Sequence, residues 1–167
     1  MFRSLKKFLF MLLEITRNAD KPHIISYTRD DGTKTWMYAD DFFVRHDLSH
    51  YAIEKKLGYT SAFMGMLNNG MDIKDFEDRE KRTKMIISKE ARFSEHMANL
   101  FLMEANQGQF DDFNDTVKGI FRSVNEQYDP PVLSNNELAA VRVYLRELLQ
   151  AWDELPVRNT MSLSINF

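Results

Sequence analysis

The chain has 167 residues, enough for one domain with a sizeable core, and its 44% hydrophobic and 28% charged content excludes an extended disordered protein. A net charge of −3 with dispersed lysines and arginines lacks the basic footprint that nucleic acid requires. The absence of cysteine excludes disulfides, thiolate metal sites and a cysteine nucleophile, so any metal must be held by imidazole and carboxylate.

Arg3, Lys6 and Lys7 followed by the apolar run 8–13 have the form of the first two parts of a secretion signal. The run stops at Glu14 without a small-x-small cleavage site and is too short to span a bilayer. Residues 1–11 therefore read as an arm packed on the domain, membrane association is not expected, and the expected location is cytoplasmic. A short strand is expected over 12–16. The β-branched and aromatic runs 23–28 and 34–38 flank Asp31-Gly32, the turn signal of a hairpin.

Next comes His46-Asp47-Leu48-Ser49-His50-Tyr51-Ala52-Ile53-Glu54. On a helix with about 100° per residue, His46, His50, Glu54 and Asp47 occupy less than a third of the circumference. His-x-x-x-His presents two nitrogens to one divalent ion, and a carboxylate a turn away can be a third ligand or a general base. Asp47 can instead be a helix N-cap, in which case His46 precedes the helix and the arc fails for it. The helix should end at Gly58 by a glycine C-cap, and a short second helix holds Phe63, Met64, Met66 and Leu67.

Residues 72–84 form a charge run that reads as a solvated segment. Ser88 should cap a helix whose apolar row Phe93, Met97 and Leu100 is continued by Glu104. A carboxylate in such a row is carried inwards and needs a partner, so Glu104 is expected to face the His46 helix and complete its polar site. His96, outside the row, is the more conventional ligand, whereas Glu95 is read as lying on the opposite face. Asp111, Asp112 and Asp115 lack the glycine and glutamate of a calcium loop and read as an acidic helix start. Ser134 and Glu137 form a capping box before Leu138, Val141, Leu145, Leu148 and Trp152 at helical spacing. After Pro156 the tail alternates apolar and polar residues, a strand period, and a lone strand must join the N-terminal hairpin.

The His46 to Glu54 stretch, with Leu57-Gly58 and Phe63-Met64-Gly65 after it, resembles a family of small uncharacterised bacterial proteins in which a hairpin with an Asp-Gly turn leads into an HDLxHxxxE helix. The likeness runs from about residue 14 to 70, with a weaker echo in the tail, and implies a fold more than an activity. The HDxxH core is also similar to that of the coenzyme Q biosynthesis proteins. Their metal motif continues with a glutamate twelve residues after the second histidine, where this chain has Ala62, which argues against membership.

The expected architecture is one α+β domain over 1–167, with a small antiparallel sheet from both chain ends and about five helices. Gly-x-Gly-x-x-Gly, P-loop and Gly-x-Ser-x-Gly patterns are absent, which disfavours nucleotide or flavin binding and serine-hydrolase chemistry. Two functional readings follow. One is a divalent-metal protein, zinc being the natural ion, with metal-dependent hydrolysis as its use. Its ligands would be His46, His50 and Glu54, with Glu104 or His96 opposite, and Glu54 and Asp47 would serve as catalytic groups. The other is a non-catalytic structural or interaction module in which the same residues form a capped helix start. The partner would be a small molecule or a protein.

Overall fold

A computed structural model describes residues 10–167, so all but the last two residues of the expected 1–11 arm lie outside the described residues. The first three strands form as the periodicity dictates: β1 (Met11–Thr16), β2 (His23–Thr28) and β3 (Lys34–Ala39). At the β2–β3 turn Gly32 takes a φ of 86°, a conformation open to glycine but strained for other residues. The tail forms β4 (Thr160–Ile165), which pairs antiparallel with β1, giving the order β3-β2-β1-β4. Both chain ends thus meet in one sheet. Alternation puts Met11, Leu13, Ile15, Ile25, Tyr27, Met37 and Ile165 on the covered face.

Six α-helices lie between β3 and β4 among the described residues: α1 (Asp41–Leu57), α2 (Phe63–Asn68), α3 (Arg79–Lys84), α4 (Lys89–Gln107), α5 (Phe113–Ser123) and α6 (Asn135–Glu154). A 3-10 turn, Ile73–Phe76, precedes α3, and α3 itself buries no residue, as expected for the charge run. None of these helices is long and apolar enough to cross a membrane. Local chemistry fixes most ends. Ser88 caps α4, Asp112 caps α5, and Ser134 with Glu137 makes the capping box of α6. Gly58 ends α1 at a φ of 69°.

The helix α1 is the centre of the molecule, packed against the sheet, α4 and α6. Every residue from Asp47 to Glu54 is buried, the polar ones included. A helix surrounded on all sides has no solvent face on which to place Asp47, Ser49, His50 and Glu54. Each must therefore find a protein partner. Ser49 donates to the Ala98 carbonyl of α4 at 2.9 Å, a contact that needs the small Ala98 to let the helices approach.

Candidate metal centre

The capped-start reading fails at its cap. Asp40 is the residue that caps α1, accepting from the Phe43 amide at 2.9 Å, so the helix begins before the histidines. His46 therefore lies within α1, and the common arc of His46, Asp47, His50 and Glu54 holds. Asp47 bonds no backbone amide of the helix start. Its Oδ2 accepts from the Tyr27 hydroxyl at 2.8 Å, across from β2. Burial pushes the Asp47 carboxyl above its ordinary value, against the opposing effect of the Tyr27 bond and the nearby histidines. Burial first, and then Asp47, raises Tyr27 well above the phenol range, so its proton stays in place as the donor.

His50 is held at both ring nitrogens. Nδ1 lies 2.8 Å from Ser94 Oγ and 3.2 Å from Glu54 Oε1, while Nε2 lies 3.0 Å from Glu95 Oε2. Ser94 donates its one proton to Glu54 at 2.8 Å, so towards His50 its oxygen accepts. Nδ1 therefore carries hydrogen, and Nε2, which faces Glu95, is the nitrogen that a metal could take in exchange for its proton. Phe63 covers the ring at a centroid distance of 5.1 Å. Burial disfavours the imidazolium, but the bonds to Glu54 and Glu95 outweigh it and push the pKa up to about 10.

Glu54 is not the open ligand or general base that its spacing suggests. Its oxygens accept from the amides of Phe63 at 3.1 Å and Met64 at 2.7 Å as well as from Ser94. These amides are the first of α2, whose own N-cap, Ala62, supplies no side-chain bond. Glu54 thus caps a neighbouring helix and orients His50. Gly65 makes the arrangement possible, because a Cβ there would stand 2.0 Å from the Thr60 carbonyl oxygen.

The third group beside the histidines is Glu95 of α4. Its carboxylate faces Nε2 of both imidazoles, 3.0 Å from His50 and 3.7 Å from His46. Partial burial works against ionisation, yet the bonds from His46 and His50 hold the Glu95 carboxyl well below the usual range. The ligating atoms of His46, His50 and Glu95 lie within 4.8 Å of one another. His46 and Asp47 line, with His50 and Glu95, a cavity of about 360 Å³.

The Phe93 row by itself predicts Glu95 on the outer face. In the fold α4 is covered on two sides. Phe93 and Phe101 meet Phe121 and Phe113 of α5, whereas Ser94 and Ala98 turn to α1. The small residues Ser94 and Ala98 are the signal that marks this second face, and Glu95 lies at its exposed rim.

Glu104 and His96 are not brought to the cluster. Glu104 is carried inwards as expected, but Arg142 of α6 takes both its oxygens at 2.8 and 2.7 Å, and the Phe110 amide adds a bond at 3.0 Å. The pair lines a separate cavity that contains neither His46 nor His50. His96 lies 2.9 Å from Glu126, with its ring against Phe121.

Comparison of the chain with protein-family models, with curated proteins and with solved structures finds no match.

Proposed function

We propose that the protein binds one divalent metal ion through His46, His50 and Glu95, with zinc the ion that best suits two imidazoles and a carboxylate. The observation that carries this reading is the convergence of three ligating atoms from two helices within 4.8 Å, one of them on a histidine anchored through its other nitrogen. In a tetrahedral site with bonds of about 2.0 to 2.1 Å, ligand atoms stand roughly 3.3 Å apart. Glu95 already stands 3.0 Å from His50 Nε2 and 3.7 Å from His46 Nε2, close to that spacing. Ser94 and Glu54 supply the outer bonds that fix the tautomer and raise ligand basicity.

A metal-dependent hydrolysis is the use that the surrounding residues favour. An ion held there would polarise a carbonyl or phosphoryl oxygen. Asp47 lines the same cavity, next in sequence to the ligand His46, where its carboxyl could take a proton and return it. Tyr27 positions Asp47 rather than acting on a substrate. The non-catalytic reading keeps one specific support: the Glu95–His50 pair also staples α4 to α1 without any metal.

The test is elemental analysis of protein purified without chelator or histidine tag, followed by zinc titration of the metal-free form. One zinc per chain is expected, and His46→Ala and Glu95→Gln should each weaken binding at least ~100-fold. Substoichiometric metal after reconstitution, with an unchanged melting temperature, would leave only the helix staple.

A further inference from the structure

The cavity in front of the metal cluster is mostly apolar. Phe63, Met66, Phe76, Met85 and Ile87 are among the side chains that line it. Its volume of about 360 Å³ lies within the range of pockets that enclose small organic ligands. Apart from His46, Asp47, His50 and Glu95, the polar lining consists of Glu77 and Arg82. After α3 the chain runs extended from Met85, sending Met85 and Ile87 into the cavity while Ile86 remains 94% exposed.

Arg82 differs from Arg79, which likewise has no ion pair among the described residues, in lining the cavity. Lys81 is paired with Asp75 and Lys84 with Glu80, each at 2.7 Å, and Asp78 caps the first amides of α3. The guanidinium of Arg82 has no ion pair or side-chain hydrogen bond among the described residues, Glu77 of the same cavity lining included. Its planar fork of donors, the geometry that matches an oxyanion in two parallel bonds, is thus uncommitted on a residue that lines an apolar cavity.

We infer that the cavity binds an anionic amphiphile: an aliphatic or aromatic body against Phe63, Phe76 and Met85, with a carboxylate or phosphate on Arg82. The inference names the ligand class of the site proposed above and rests on that reading for the polar end of the cavity. The Arg82 contact itself does not need the metal. The neighbouring Arg79, on the same short helix but outside the cavity lining, provides a matched control.

The experiment is calorimetric titration of zinc-loaded and metal-free protein with decanoate, decyl phosphate and decyltrimethylammonium below their micellar concentrations. At least one of the two anions should bind ~10-fold or more tightly than the cation, and decanoate against decyl phosphate tells which oxyanion is preferred. Arg82→Gln, an exposed substitution that leaves the core untouched, should remove that advantage, while Arg79→Gln should not. Equal binding of anion and cation, absence of binding, or an unaltered Arg82→Gln variant would each overturn the inference. Arg82-dependent anion binding by a protein that takes up no zinc would remove the metal reading alone, and zinc uptake without anion binding would remove this one alone.

Discussion

The Ser94 hydroxyl oxygen stands 2.8 Å from His50 Nδ1, and it can only accept there because its proton is given to Glu54. A serine on α4 therefore decides which nitrogen of a histidine on α1 faces Glu95. Ser94→Ala removes the acceptor and leaves Nδ1 with the longer Glu54 contact. Zinc affinity should fall by roughly 10-fold to 100-fold, and stability by about 1 kcal/mol. Zinc titration and denaturant unfolding check the two effects separately.

The pH dependence of the metal-free protein has a definite sign. His50 has a folded pKa of about 10 against an ordinary 6.5, so its contribution to stability is complete below pH 6.5 and is lost as pH rises through about 10. The melting temperature of metal-free protein should decline across that window, and His50→Gln should flatten the decline. Zinc takes the place of the Nε2 proton, so its affinity should climb over the same interval. An unchanged slope in the variant would show that another group is responsible.

Glu54 and Glu95 contact the same imidazole and should nevertheless behave as opposites. Glu54 is 1% exposed and satisfies two amides of α2, so Glu54→Gln places an amide group against N–H donors and should cost roughly 2 kcal/mol. The Glu95 side chain is 57% exposed, so Glu95→Gln should change stability much less while abolishing tight zinc binding. Urea unfolding and zinc titration of the two variants give a crossed pattern if the roles are as assigned.

Glu104 predicts the reverse of its expected role. Removing the carboxylate leaves Arg142 unpaired at a site where the Glu104 side chain is 3% exposed, so Glu104→Leu should cost roughly 3 to 5 kcal/mol. Zinc affinity should not change, since Glu104 bonds neither histidine. A loss of zinc binding in a folded Glu104→Leu protein would join the two polar clusters after all.

What was legible in the sequence was set by short-range chemistry. Asp31-Gly32, Ser88, Ser134 with Glu137, and Gly58 each fix a turn or a helix end through their own side chain or backbone freedom. The tail strand was legible because alternation over Met161, Leu163 and Ile165 has no other outlet than a sheet. The His46–His50 arc was legible from one helix alone. Glu95 was not, because it meets the histidines only once α1 lies against Ser94 and Ala98 of α4. The role of Glu54 depends on the path of residues 58–62, which returns the α2 amides to a carboxylate nine and ten residues earlier in the chain. The partner of Glu104 depends on where α6 packs, which no local pattern states.

The placement of β4 beside β1 also orders events during synthesis. The hydroxyls of Thr16 and Thr160 meet across 144 residues, so one edge of β1 has no strand to pair with until translation has almost reached residue 165. Until then the nascent chain carries Met11, Leu13 and Ile15 in a three-stranded sheet with an open apolar edge, the kind of template that recruits other strands. Pairing so distant in sequence raises the contact order of the sheet, and Tyr51 of α1 gains its bond to the Ser164 carbonyl, at 2.6 Å, only when β4 is in place.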